Sequence, residues 1–281
     1  MTLVFVHGGV AGVPKPERVP LADGVAEGAA AGHALDAVER AVRVLEDDPR
    51  LNAGYGAVLN LAGAVELDAG ISDGTTGRSG GVGNVTVRHP VSLARKVLEE
   101  TPHVLITGAG AGALATGMEE VVVAPDERRR WEEARAAGRL DVARFGDPVE
   151  VDTVGAVACL SGGLAAASST GGVFAKMPGR MGDSAVFGAG HYASRAAAVV
   201  GTGVGEMFLE TLACARVGLL IEAGAHPQEA CEGVVRLLGE RAPLPAGLLA
   251  LDGSGRAGAA FRGGSWDVAG PDGPFEAVRL E

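Results

Sequence analysis

Residues 119–152 divide the chain. Ten acidic residues and six arginines fall in that stretch, Arg128-Arg129-Arg130 among them. So dense a charge run cannot be buried without partners and reads as a solvated face or tether. Part of it, about Glu127–Ala137, is expected to form a solvated helix, and the remainder an exposed, mobile tether. Immediately beyond it the character reverses. Val154–Cys159 and Leu164–Ser168 are small, apolar and strand-like, with a turn at Ser161-Gly162-Gly163 between them. That pattern predicts a buried hairpin.

The other apolar stretches carry their own periods. Thr2–Val6 reads as a short buried strand running into His7-Gly8-Gly9. A helix is expected over about Gly32–Glu46, because Leu35, Val38, Val42 and Leu45 recur at helical spacing. Pro90 opens a second helix carrying Leu93 and Val97. Val104–Thr107 is a candidate for a second central strand, and Ala64–Leu67 a short strand-like piece. Helices are expected over about Glu206–Ala223 and Pro227–Arg241. Leu248–Leu251, Ala257–Arg262 and Glu276–Leu280 return to strand. No internal repeat is visible. Strands at both ends with helices between them predict layered α and β structure in a single domain, 1–281.

Composition narrows the function. A net charge of −11 argues against nucleic acid as a partner, since phosphate binding needs clustered Lys and Arg. No run approaches a membrane span, and Met1–Gly9 lacks the basic start of a secretory leader. A cytoplasmic setting is the expectation. Cys159, Cys214 and Cys231 form no CxxC pair and read as buried small hydrophobes. Gly is abundant, 45 residues, which suggests many tight turns and close backbone approaches.

The chemistry-bearing residues lie beyond the charged run. A Thr at the head of a strand is ordinary. Thr153, however, stands where the tether meets the hairpin. Were the chain cut before it, Thr153 would carry a free α-amine. Such an amine titrates near ~8 and can serve as base for the adjacent hydroxyl. Thr170 follows in Ser168-Ser169-Thr170-Gly171-Gly172, and Thr202 in Gly201-Thr202-Gly203-Val204-Gly205-Glu206. Hydroxyls beside glycine-exposed N–H groups suit an oxyanion site, although each motif alone is more simply a turn. Neither the second motif nor Gly108-Ala109-Gly110-Ala111-Gly112 has dinucleotide-binding spacing. Arg180 and Asp183 stand three apart in Pro178-Gly179-Arg180-Met181-Gly182-Asp183. Arg can fork a carboxylate and Asp can accept from an ammonium, so together they could hold a free amino-acid head group. The ordinary alternative is a surface ion pair.

In order and spacing these pieces resemble the plant-type asparaginase and isoaspartyl peptidase family of N-terminal nucleophile hydrolases. The match runs nearly end to end. It takes in His7-Gly8-Gly9, Leu51-Asn52-Ala53-Gly54-Tyr55-Gly56, Glu66-Leu67-Asp68-Ala69 with Asp73-Gly74, and Pro102-His103-Val104. It continues through Asp152-Thr153-Val154-Gly155-Ala156-Val157-Ala158 and the three motifs after it. The resemblance implies an α+β fold, a four-layer αββα sandwich. It implies self-cleavage between Asp152 and Thr153 into fragments 1–152 and 153–281, usually assembled as a dimer of such pairs.

By the same resemblance Thr153 attacks the side-chain carbonyl of asparagine or of a β-aspartyl peptide, and Thr170 orients it. Thr202 and the N–H of Gly203 form the oxyanion hole. Arg180 takes the substrate carboxylate and Asp183 its amine. Met181, Gly182, Val204 and Gly205 complete the pocket, and Asn52 supports the nucleophile. No catalytic metal or cofactor is implied; a structural sodium ion held by backbone carbonyls near Leu45–Asn52 occurs in some relatives. Family members often carry Gly before the nucleophile, where this chain has Asp152. That acid keeps cleavage of glycosyl-asparagine open as an alternative substrate. An uncleaved, non-enzymatic binding protein on the same fold is the other alternative.

Overall fold

The computed structural model describes residues 2–11, 21–141 and 152–281. In chain order the elements begin with β1 (Thr2–Ala11), α1 (Ala22–Ala29), α2 (Ala34–Glu46), β2 (Leu67–Asp73) and β3 (Arg78–Val85). Next come α3 (Pro90–Glu100), β4 (Leu105–Thr107), α4 (Gly108–Leu114) and α5 (Pro125–Ala136). Beyond the charged stretch follow β5 (Val154–Leu160), β6 (Gly163–Thr170), β7 (His191–Ala193), β8 (Ala197–Gly203), α6 (Gly205–Thr211), α7 (Ala213–Glu222) and α8 (Pro227–Arg241). The chain closes with β9 (Ala246–Asp252), β10 (Ala257–Arg262), β11 (Ser265–Gly270), β12 (Gly273–Pro274) and β13 (Val278–Arg279).

Two sheets result. The larger has the order β12-β11-β1-β5-β6-β2-β3-β4, the smaller β13-β10-β9-β8-β7. Helices α1, α2 and α3 pack on the first sheet, α7 and α8 on the second, and β5 and β6 face β8 across the gap. This is the four-layer αββα arrangement that the sequence implies.

Strand β5 shows why the order holds. Val154, Ala156, Ala158 and Leu160 point into the core under the first helical layer. Val157 and Cys159 point the other way, into the core shared with the second sheet. Both faces are apolar because both are covered, so the strand reads as a continuous apolar run. Small side chains on these faces let the layers close. Larger groups fill the helix interfaces; Phe208 is wholly buried, which is worth roughly 1.5–3 kcal/mol against an exposed ring. The three cysteines are buried and free.

Three expectations need correction. The candidate central strand at Val104–Thr107 is β4, which pairs with β3 alone at the sheet edge. Val104 is 55% exposed and Leu105 39%. A short apolar run carries no period that separates a centre from an edge. The helix expected over Glu206–Ala223 is broken at Leu212, whose φ of 52° is left-handed. The Thr211 carbonyl exposed by the break accepts from Arg216 Nε at 2.6 Å. The strand expected over Glu276–Leu280 shrinks to Val278–Arg279. The helix in the charged stretch forms as Pro125–Ala136. Of the expected tether, residues 142–151 lie outside the described residues.

Candidate active site

The hairpin β5–β6 builds the nucleophile side. Its register pairs Val154 with Ser169, which sets Thr153 beside Thr170 at the open end of the hairpin. Both threonines are buried. The Thr153 hydroxyl donates to Thr170 Oγ1 at 3.3 Å. Thr170 in turn donates to the carbonyl oxygen of Asp152 at 3.1 Å, and the Gly172 N–H donates to Thr170 Oγ1 at 3.0 Å. Asn52 reaches the same carbonyl: its Nδ2 donates to Asp152 O at 3.2 Å and to Gly172 O at 2.6 Å. Its own carbonyl accepts from Val58 N at 3.0 Å, so the amide is fixed at both ends. The carbonyl of the Asp152–Thr153 peptide bond therefore has two donors. It is polarised toward attack by the hydroxyl that follows it.

The neighbouring strand β1 presses on that bond. A β-carbon on Gly9 would stand 2.0 Å from Asp152 Oδ1 and 2.8 Å from Thr153 N, and Gly9 has a φ of +96°. Only glycine fits such an approach. His7, two residues before it, is wholly buried. Burial lowers its pKa to about 3, against a small raising effect of the Thr153 backbone, so the imidazole is neutral at any working pH.

Charged groups build the opposite side. The ordinary alternative, a mutual surface pair of Arg180 and Asp183, does not hold. Both are largely buried, and Arg180 is forked to Glu206, Nε to Oε1 at 3.0 Å and Nη2 to Oε2 at 2.8 Å. That fork uses two of the five guanidinium N–H groups and leaves three. Burial opposes the Arg180 charge, but Glu206, Asp183 and Asp68 outweigh it and raise its pKa. Asp183 Oδ2 has no hydrogen-bond partner among the described residues. Burial pushes its pKa up to about 7, with Arg180 pulling the other way and Glu206 and Asp68 adding to the rise. Arg180 acts on this carboxyl through space, and Oδ2 stays open to a further donor such as a substrate ammonium.

Between the two sides lies a narrow cleft lined by Asp152, Thr153, Thr170, Gly172, Val173, Arg180, Asp183 and Gly203. Asp152 itself forms part of the wall, so the intact chain stands in its own site. Of the other expected residues, Thr202 is buried at the end of β8, beside Gly203. Its Oγ1 accepts from Val10 N at 3.3 Å, which leaves its hydrogen free to donate. Gly205 is required by closeness: a β-carbon there would lie 2.8 Å from Asp183 Oδ1 and 2.9 Å from Arg180 Nη2. Met181 packs its sulfur on Gly83, and Gly182 gives its N–H to Asp68 Oδ2 at 3.0 Å. Val204 points into the core, so only its backbone can serve a ligand. Glu206 as the partner of Arg180 was not expected, because spacing along the chain does not show which carboxylate turns toward a guanidinium.

Among the described residues no group of three or more His, Cys, Asp and Glu side chains could hold a metal. The carbonyl oxygens of Asp48, Pro49 and Leu51 all lie within 2.9 Å of where a Gly56 β-carbon would stand, and this crowding keeps position 56 a glycine. No helix among the described residues is long and apolar enough to cross a membrane.

Comparison with known proteins finds relatives along most of the chain. A family model described as asparaginase matches residues 18–268. The chain is 39% identical to a plant-type L-asparaginase of Pyrococcus furiosus, covering 92% of each chain. It is 43% identical to an isoaspartyl peptidase of Salmonella typhimurium, over 88% of this chain and 85% of the relative. An isoaspartyl peptidase/L-asparaginase of Danio rerio is 37% identical over 93% of this chain and 89% of its own. With a threonine pair at the head of the central hairpin and a family match across nearly its whole length, this chain belongs to the asparaginase family of hydrolases.

Proposed function

We propose that the chain cuts itself between Asp152 and Thr153 and then hydrolyses the side-chain amide of L-asparagine and the isoaspartyl bond of β-aspartyl dipeptides. The observation that carries the reading is the doubly held carbonyl of Asp152. Thr153 Oγ1 attacks that carbonyl carbon and passes its proton to Thr170, which donates its own to the forming oxyanion. As the C=O re-forms, that proton passes back through Thr170 to the Thr153 nitrogen, the C–N bond breaks, the nitrogen leaves as an amine, and an ester joins Asp152 to Thr153 Oγ1. Water hydrolyses the ester, giving Asp152 a free carboxylate and Thr153 a free hydroxyl and α-amine.

Release of Asp152 opens the cleft to substrate. The substrate carboxylate meets the remaining donors of Arg180, and its ammonium meets Asp183. The Thr153 amine takes the hydroxyl proton as Oγ1 attacks the side-chain carbonyl, whose oxygen is held by Thr202 and the N–H of Gly203. The same amine returns the proton to the departing ammonia or peptide amine. Water then cleaves the β-aspartyl ester and aspartate leaves. A structural sodium ion near Leu45–Asn52, which the resemblance implies for some relatives, would steady the Asn52 loop and take no part in the chemistry.

The fragments 1–152 and 153–281 stay joined in this reading. In the sheet, β5 and β6 of the second fragment lie between β1 and β2 of the first, and β11 pairs with the other edge of β1, so separation would break three ladders. The pair assembles with a second copy, through exposed apolar groups such as Leu212 and Leu219 on the second helical layer. Intact mass spectrometry after incubation tests the cut: two fragments are expected, the second beginning at Thr153. Release of ammonia or amine from asparagine, a β-aspartyl dipeptide and glycosyl-asparagine then ranks the substrates. An intact chain that is fully active would overturn the proposal.

A further inference from the structure

Beneath the amino-acid clamp lies a charged pair that the reaction steps leave unused. Asp68 on β2 and Lys176 on the loop after β6 are both almost wholly buried. The two oxygens of Asp68 accept from backbone N–H groups, Oδ1 from Asn84 and Oδ2 from Gly182, each at 3.0 Å. Gly182 lies between Arg180 and Asp183, so this bond holds the turn that carries both ends of the clamp. Lys176 Nζ stands 3.8 Å from Asp68 Oδ2 and donates to Glu66 O at 2.8 Å.

The same ammonium reaches the nucleophile side. A β-carbon on Gly172 would meet Lys176 Nζ at 3.0 Å and Arg180 Nη1 at 3.4 Å. Gly172 is also the residue whose N–H bonds Thr170. Asn84 adds a neutral tie: its Nδ2 donates to Gly179 O at 3.1 Å, from a left-handed position with φ of 55°.

We propose that Asp68 and Lys176 form a positioning strut that fixes the spacing between the Arg180–Asp183 clamp and Thr153, and so sets affinity for the α-amino-acid head group. Asp68 supplies the anion that two backbone N–H groups require. Lys176 opposes the burial that raises the Asp68 pKa, as do the Gly182 and Asn84 N–H groups. The strut touches no reacting atom, so its loss weakens ground-state binding more than turnover. The inference rests on the clamp reading given above.

The test compares wild type with Asp68→Asn, Asn84→Gly and Asp183→Asn, each first shown by mass to be self-cleaved. KM and kcat for L-asparagine and the inhibition constant of L-aspartate are measured. Asp68→Asn is expected to raise KM and the inhibition constant about tenfold or more, with kcat within about threefold, since a hydrogen bond to a charged group is lost. Asn84→Gly removes only the neutral tie and suits the left-handed backbone; it is expected to raise KM about two- to fivefold. Should Asp68→Asn fail to fold or cut itself, Lys176→Gln, which removes the cation of the strut, decides in its place, with a rise in KM and an unchanged kcat expected. Folded, cleaved variants with wild-type KM, or with kcat lowered and KM unchanged, overturn the strut. A wild-type KM in Asp183→Asn overturns the clamp itself, and that outcome is separate.

Discussion

On one side of the cleft Thr153, Thr170, Asn52 and the N–H of Gly172 form a chain of neutral hydrogen bonds around a single carbonyl. On the other, Arg180, Asp183 and Glu206, backed by Asp68 and Lys176, crowd ionisable groups into a largely buried patch. The neutral side handles protons that must move, and neutral hydroxyls relay them without a permanent charge to desolvate. The charged side handles a substrate head group that arrives with two fixed charges. Asp183 Oδ2, which has no hydrogen-bond partner among the described residues, is open to the ammonium of that head group. The difference predicts that damage to the first side is read in kcat and self-cleavage, and damage to the second in KM and pH dependence.

The largest effect is expected at Thr153. Thr153→Ala removes the nucleophile of both reactions, so the chain should remain whole and inactive. A mass spectrum showing two fragments would break the neutral side of the comparison at its root. Thr170→Val comes next. It keeps the shape but removes both the acceptor of the Thr153 proton and one donor to the Asp152 carbonyl. Loss of one such donor costs on the order of 10²–10³ in rate. Self-cleavage timed by gel should slow by that order, with Asn52 sustaining the remainder. Equal rates in the two proteins would mean that the hydroxyl wire is only packing.

Asp183 tests the charged side. Asp183→Asn cannot balance an ammonium, so KM for asparagine should rise about 10- to 100-fold, as when one partner of a buried charge pair is removed. Stability should move oppositely. Burial pushes the folded carboxyl up to about 7, above its ordinary value of 3.8, so the folded chain binds that proton more tightly than the unfolded chain does. The group's favourable share of stability is complete below the unfolded pKa and is lost as pH rises through about 7. Thermal melts should therefore favour Asp183→Asn at pH 8, with the gap closing by pH 4. A gap that widens toward acid would contradict the burial of this carboxyl.

The pH profile of kcat/KM separates the two sides without mutation. The Thr153 amine must be neutral and titrates near ~8 when unperturbed. Asp183 must be ionised and titrates at about 7. Both requirements fail toward acid, so the limb below about pH 7 should approach a slope of two, falling to one in Asp183→Asn. A wild-type limb with a slope of one would remove Asp183 from the binding step.

Much of this was legible in the sequence, and the reason lies in particular residues. The hairpin around Ser161-Gly162-Gly163 was readable because both its strands are apolar on both faces and its turn is unambiguous. Thr153 stood out by its place at the end of the charged run, whereas Thr170 and Asn52 gained their roles only through the family resemblance. The strands β2, β3 and β8 were much less visible: glycines occupy their centres, among them Gly70, Gly80, Gly81 and Gly201. Gly70 is there because a β-carbon would strike His191, and Gly201 because it would strike Phe208. Such close approaches are tertiary facts, and a local pattern does not contain them. The pairing of Arg180 with Glu206 was hidden for the same reason, since the two are joined through the fold and lie 26 residues apart.

That pair gives the smallest effect and the finest test of the comparison. Glu206 does two things of opposite sign to the clamp. Its fork orients Arg180, while its charge adds to the rise in the Asp183 pKa. Glu206→Gln keeps one acceptor for the guanidinium and removes the charge. Glu206 is partly exposed, so solvent screens its influence and the change should be modest, about two- to fivefold in KM at pH 8. At pH 6 the picture differs. There wild-type Asp183 is mostly protonated, and the variant, relieved of a nearby anion, keeps more of it ionised. The KM penalty of Glu206→Gln should therefore be smaller at pH 6 than at pH 8. A penalty that is the same at both values would show that Glu206 acts on Arg180 alone, and that the two ends of the clamp are electrostatically independent.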